Sequence, residues 1–244
     1  MLSSLTRSIG RPNTLGFFSF SSNVAVVFSG CGVYDGSEIT ESVAALVHLS
    51  AAQANVACFA PDIPQMHVVD HLKMEPSEGE TRNVLVESAR ICRGNIQSLD
   101  SLKADEFDAL FLPGGFGAAK NLSSFATSGP DMDVNGELGS LIRAFHQQGK
   151  VIGMVCISPV IASKVLPGVK ITLGSDGNEE EWPHREAIDA AKQMGADVKI
   201  CDIDEVCSDE QHKIVTGPAY MKNASPHEVF ENVGKVIREM LRMA

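Results

Sequence analysis

No apolar run in this 244-residue chain approaches the length that crosses a bilayer, so a membrane-spanning protein is excluded as the first reading. There is no basic stripe either. The net charge is −11, which argues against nucleic acid and anionic membrane surfaces as partners. The six cysteines, at 31, 58, 92, 156, 201 and 207, show no CxxC spacing and no disulfide-framework density, and a reducing compartment follows. No internal repeat, low-complexity tract or interdomain linker breaks the chain. Acid is also missing from the amino terminus, where the first carboxylate is Asp35. Residues 1–22 instead hold Arg7, Arg11, six serines and scattered Leu, Ile and Phe. That composition reads as a mitochondrial transit peptide, the other reading being a disordered tail. A secretory signal fits less well, because no continuous apolar core follows the arginines.

What is present is ordinary globular material: 44% hydrophobic and 21% charged residues, enough for one α/β domain over residues 23–244. Val24–Phe28, Val56–Phe59, Phe107–Leu112 and Val151–Val155 are short, near-continuously apolar runs, each expected to be a buried strand. Helical periodicity separates them. Between Glu38 and about Gln53 it places Ile39, Val43, Leu46, Val47 and Ala51 on one face. Residues 140–148 and 225–242 are also read as amphipathic helices, and a helix is expected over Thr81–Cys92 inside a long excursion, 63–104. Strands alternating with helices describe a mostly parallel sheet covered on both faces, with chemistry at the carboxyl ends of its strands.

One such end carries Val155-Cys156-Ile157-Ser158-Pro159. A strand that stops at a cysteine, followed by a proline suited to a helix's first turn, reads as a sharp strand–turn–helix. Helix-start N–H groups beside Cys156 would favour its thiolate. A cysteine packed as a small hydrophobe is the plainer reading of the same segment. Glu38 and Glu41 open the helix after the first strand, where either is placed to meet a thiol at a neighbouring strand end, titrate with it and carry protons. Both also suit helix capping; Glu41, one turn further in, is the better candidate for the thiol's partner and Glu38 for the cap. Pro113-Gly114-Gly115-Phe116-Gly117 offers unshielded backbone N–H groups which, with that of Ile157, suit an oxyanion.

The loop from Gly30 to Gly36, with Asp62 after the next strand, imitates a dinucleotide fingerprint. Its spacing is GxGxxxG, however, and two glutamates stand where a pyrophosphate needs positive potential. His67 and His71 are four residues apart but lack an obvious third ligand, and Asp176 with Glu179–Glu181 reads as a solvated acidic loop, so no metal is assigned. Cys31 and Gly114 share the expected pocket rim, where Cys31 either resolves an oxidised Cys156 or simply packs.

Longer strings add specificity. Ser29–Ile39, Glu80–Leu85, Pro113–Ser123, Cys156–Pro159 and Lys213–Thr216 resemble the family of bacterial ElbB and the vertebrate mitochondrial ES-one protein, in the PfpI-like branch of the class I glutamine amidotransferase-like superfamily. The resemblance runs from about Val24 to the carboxyl terminus. It implies a flavodoxin-like three-layer α/β sandwich in which Cys156 is the nucleophile-elbow cysteine, Glu41 its partner carboxyl, and Gly115 and Ile157 the oxyanion donors. It also implies a homodimer, a mitochondrial (matrix) location and glyoxalase or deglycase chemistry on small aldehydes or glycated substrates, with no cofactor. Departures narrow this. The His-x-Glu slot of amidotransferases reads Thr216-Gly217-Pro218-Ala219-Tyr220, a histidine after the next strand is replaced by Leu173-Gly174, and Ile157 stands where PfpI-type proteases have histidine. His184-Arg185-Glu186 has the right letters but is expected at the surface. Without an evident histidine, glutamine hydrolysis and proteolysis recede, leaving chemistry that needs a thiol and a carboxyl. The alternative is a non-enzymatic mitochondrial maintenance or redox-sensing protein.

Overall fold

The strand at Asn23–Val27 (β1) occupies the middle of a seven-stranded sheet, and the computed structural model describes residues 22–244. The expected transit peptide therefore lies, but for its last residue, outside the described residues. The other strands are β2 (Asn55–Ala60), β3 (Gln97–Ser98), β4 (Ala109–Leu112), β5 (Val151–Val155), β6 (Cys207–Asp209) and β7 (Ile214–Gly217). Their order is β6-β7-β5-β4-β1-β2-β3, and every pairing is parallel except β6 with β7 at one edge. β1, β4, β5 and β7 are buried at almost every position, which is why their sequences run apolar without alternation.

The helices of five or more residues are α1 (Ile39–Ala51), α2 (Val84–Ser88), α3 (Phe116–Lys120), α4 (Gly136–Gln147), α5 (Pro159–Val165), α6 (Glu186–Gln193) and α7 (Pro226–Met243). They flank the sheet in the flavodoxin-like arrangement, with α1 packed on α7, α7 across β5 and β7, and α4 on β5 and α5. Gly153 in β5 permits that closeness, since a Cβ there would stand 2.7 Å from the Met240 sulfur of α7. The excursion at 63–104 holds a two-residue ribbon, Val69–Asp70 with Glu75–Pro76, and only the short α2 in place of the expected longer helix.

The face that α1 buries differs from the one its periodicity selects. Glu41, Ser42, Ala44, Ala45 and Leu49 point inward, whereas Ile39, Val43 and Val47 are 48%, 45% and 46% exposed. The reason is a close helix–helix contact. The His48 ring packs at a tilt against Phe230 with centroids 4.4 Å apart, and would touch any Cβ added at Gly234. Small residues are what such a contact admits, and the large aliphatic ones are turned outward.

Candidate functional site

The site begins where β5 ends. Cys156 adopts φ of 61°, a left-handed conformation that costs a residue with a Cβ about 1–2 kcal/mol and is kept only where the surroundings impose it. Here they do. Its N–H donates to the Gly217 carbonyl at 3.0 Å, and the Ser158 hydroxyl ties the turn to the Leu112 carbonyl at 3.1 Å and the Val155 carbonyl at 2.8 Å. α5 then starts at Pro159, as the sequence reads.

Glu41 is the second member. It has no exposed surface, although it sits in the first turn of α1. Its Oε2 accepts the Gly114 N–H at 2.8 Å, its Oε1 accepts the Tyr220 N–H at 3.2 Å, and its carboxyl is hydrogen-bonded to the Cys156 side chain. Gly114 is the floor between them. A Cβ there would lie 2.3 Å from Cys156 Cβ and 2.7 Å from Glu41 Oε2, so only glycine allows thiol and carboxyl to meet. Gly115, with φ of 91°, turns the chain so that its N–H and that of Ile157 hydrogen-bond the Cys156 sulfur.

Tyr220 was not singled out by the sequence, because it contributes through its backbone. Its N–H reaches Glu41 because Asn232, fully buried on α7, accepts from the Ala219 N–H at 3.0 Å and donates to the Ile203 and Glu205 carbonyls. Glu38 is the N-cap of α1. Its Oε2 accepts the Glu41 N–H at 2.7 Å, so its carboxyl is spent on the start of the helix.

The electrostatics oppose one expectation. Burial, then the charge of Glu38, push the Glu41 carboxyl up to about 8, against the N–H bonds that favour its anion. Burial and the neighbouring Glu41 likewise raise the Cys156 thiol, more than the N–H groups of Gly115 and Ile157 lower it. A low-pKa thiolate is thus not what this turn makes. Both groups are neutral near pH 7, and the first proton to leave belongs to the pair. The resulting monoanion has two forms, carboxylate with thiol or carboxyl with thiolate. The second is a nucleophile with three hydrogen-bond donors on its sulfur.

A cavity of about 640 Å³ opens on Cys156, Gly115 and Ile157. Its walls are Phe116 and Lys120 of α3, the stretch from Phe125 to Pro130, and the Glu186–Gln193 helix. His184 lines it too, packed edge-on against Phe116 at 5.5 Å, so this histidine is a wall residue and not the bare surface feature expected. Its placement follows from Trp182, which folds the acidic loop back onto Gly174, a contact between residues eight apart that no local pattern announces.

Cys31 does not join Cys156. Its charged neighbours are Glu87, Arg90, Asp35 and Arg82, it lies near Cys92, and it is not among the residues lining the cavity. Gly114 is also absent from that lining, since it lies beneath the pair. The glycine loop around Cys31 spends its donors internally: Gly30 N–H on Ser88 Oγ, Gly32 N–H on the Ser37 carbonyl, Gly36 N–H on the Gly32 carbonyl. That leaves no cradle for a pyrophosphate. Asp62 accepts from Asn83 at 2.7 Å, His71 lies over Tyr34 and Asp35, and His67 is exposed. Among the described residues no group of three His, Cys, Asp or Glu side chains is spaced to hold a metal ion.

Comparison with known proteins follows the same lines. The DJ-1/PfpI family model matches residues 33–218. The glutamine amidotransferase-like class 1 domain-containing protein 3, mitochondrial, of Homo sapiens is 50% identical over 224 residues, covering 91% of this chain and 84% of that protein. The mitochondrial ES1 protein homolog of Rattus norvegicus is 49% identical over 221 residues, with 90% and 83% covered. An isoprenoid biosynthesis protein with an amidotransferase-like domain from Ehrlichia chaffeensis superimposes with a TM-score of 0.82 at 37% identity, over 91% of this chain and 99% of that one.

Proposed function

Because the chain belongs to the DJ-1/PfpI family, we propose that it is a cofactor-independent glyoxalase or deglycase, converting small 2-oxoaldehydes such as glyoxal and methylglyoxal to 2-hydroxy acids through Cys156 and Glu41. It is a mitochondrial protein, as its relatives are. The observation that carries the reading is the fully buried Glu41 carboxyl bonded to the Cys156 sulfur over Gly114. A general acid–base and a sulfur nucleophile in contact, with two N–H donors at the same atom, are the parts such an isomerisation needs.

The steps balance with water alone. The Cys156 thiolate adds to the aldehyde carbon, and the new oxyanion takes the proton that Glu41 holds, giving a hemithioacetal. Gly115 and Ile157 N–H groups are within reach of that oxygen. Glu41, now a carboxylate, accepts the proton on the thiol-bearing carbon to give an enediol, the hydroxyl proton of that carbon passes to the neighbouring oxygen, and Glu41 returns its proton to the adjacent carbon. The first carbon is oxidised to a thioester and the second reduced to a carbinol. Water then cleaves the C–S bond and releases the hydroxy acid. A glycated amine enters the same sequence once its hemiaminal has expelled the amine and given back the free aldehyde.

In this reading the Cys156→Ser protein keeps its fold and loses turnover by at least about a hundredfold, since a buried hydroxyl is a far weaker nucleophile than a thiolate. Methylglyoxal consumption and lactate formation in amine-free buffer, for the full chain and this variant, provide the test. Equal rates for the two proteins would refute it. The redox-sensing alternative finds less support: Cys31, its expected resolving cysteine, is not among the residues lining the cavity on Cys156.

The homodimer belongs to the same proposal. The outward row Ile39, Val43 and Val47 on α1 is apolar surface that a second copy would cover. Sedimentation velocity is expected to give a dimer that Val43→Glu converts to monomer. A monomeric wild type at micromolar concentration contradicts this. We propose residues 1–22 as the transit peptide, and a mature amino terminus near Asn23 in protein from mitochondria is the expected result.

A further inference from the structure

The cavity is far larger than glyoxal or methylglyoxal requires. Its volume of about 640 Å³ falls within the roughly 300–1,000 Å³ of sites that enclose drug-sized ligands. A three-carbon aldehyde at Cys156 leaves most of it to water. Its walls are also mainly apolar. Phe116 and Phe125 stand on one side, and Ala187 and Ala190 of α6 face the space with side chains too small to fill it. His184 meets Phe116 edge-on, with ring planes at 86°, giving a corner of two rings against which a third ring packs favourably.

Positive charge at the walls is sparse and already committed. The Lys120 amine donates to the Tyr34 carbonyl at 2.7 Å and rides over the Phe116 ring, and burial lowers its pKa. The carboxylates, Glu186 and Asp189, are exposed on the mouth. A multiply charged anion finds no partner here, and a flat apolar group does.

We propose that this cavity takes a 2-oxoaldehyde whose second carbonyl carries an aryl group, or an apolar body of that breadth, and that Phe116, His184 and Ala190 select for it. The proposal rests on the reading of Cys156 and Glu41 given above. The reaction is the same hydration and internal redox exchange, an arylglyoxal plus water giving an aryl 2-hydroxy acid.

The test pairs turnover with binding so that the two readings fail separately. Turnover compares phenylglyoxal with methylglyoxal for the full chain and for Ala190→Trp, whose indole would occupy the space. Calorimetry compares mandelate with lactate, the corresponding products, on the same two proteins. Expected is a kcat/KM at least roughly tenfold higher for phenylglyoxal, the scale set by burying one phenyl ring. That preference should fall by tenfold or more in Ala190→Trp, and mandelate should bind more tightly than lactate only in the wild type. Methylglyoxal turned over as well as phenylglyoxal, with mandelate binding no more tightly than lactate, overturns the selectivity and leaves the thiol–carboxyl chemistry standing. Selective mandelate binding that Ala190→Trp abolishes, with neither aldehyde turned over, supports the ligand class and overturns the chemistry. Neither turnover nor binding overturns both.

Discussion

Glu41→Gln is expected to lower turnover by about 10²–10⁴, the usual contribution of a positioned acid–base group, while the protein still folds. The amide cannot hold the proton that the hemithioacetal oxygen takes, nor accept one from carbon. A change in stability accompanies the loss, and its sign is set by burial. An unfolded glutamate titrates near 4.5 and the folded Glu41 carboxyl at about 8. Between those values the folded protein binds the extra proton, so wild-type stability falls as pH rises, by up to roughly 1.4 kcal/mol per unit. Glutamine has no such titration. One of its amide hydrogens faces either the Gly114 or the Tyr220 N–H, a pH-independent cost of about 1–3 kcal/mol. The stability of Glu41→Gln relative to wild type should therefore climb by several kcal/mol between pH 5 and pH 8, whatever its starting sign. Denaturant titrations at the two pH values read this directly, and a pH-independent difference would show that the carboxyl is not held neutral.

Gly114→Ala should be more damaging than its size suggests. The added methyl would stand 2.3 Å from Cys156 Cβ, 2.8 Å from its sulfur and 2.7 Å from Glu41 Oε2. None of these atoms can yield easily. Cys156 is fixed in its left-handed turn by Gly217 and Ser158, and Glu41 by two backbone donors. Overpacking of this kind costs about 1–3 kcal/mol, and the relaxation that relieves it parts thiol from carboxyl, so turnover is expected to vanish as well. Gly139→Ala is the control. It lies in the interior of α4, where a Cβ finds its first neighbour at 3.6 Å, and should gain about 0.5–1 kcal/mol from helix propensity with activity intact. Thermal melts and methylglyoxal assays on both variants separate the effects. Gly114→Ala with wild-type turnover would mean that contact between Cys156 and Glu41 is not needed.

How much of this was legible in the sequence follows from the range over which each feature is determined. Buried parallel strands are continuous apolar runs, so β1, β2, β4 and β5 could be read within a few residues, and the Cys156 turn with them. Gly114 and Gly115 announced themselves because a strand end without side chains is itself a local pattern. Features set by packing were not visible. The apolar stripe of α1 predicted its buried face wrongly, because packing on α7, where His48 meets Phe230 and Gly234, selects another face. His184 reached the cavity through the fold of Trp182 onto Gly174, and Tyr220 acts through an N–H that every residue but proline has. The acidity of Cys156 was misjudged for a related reason. Helix-start dipoles can be read from sequence, whereas the burial that outweighs them is a property of the assembled sheet.

The most direct measurement of the thiol–carboxyl pair is kcat/KM for methylglyoxal as a function of pH, on the wild-type full chain in buffers without amines. The reactive form is the pair after one proton has left. Its rate should therefore rise about tenfold per pH unit below about 8 and level off above it, following the value to which burial lifts Glu41. A rate that is already maximal at pH 6, as an isolated low-pKa thiolate would give, or no turnover above buffer at any pH, would contradict the account.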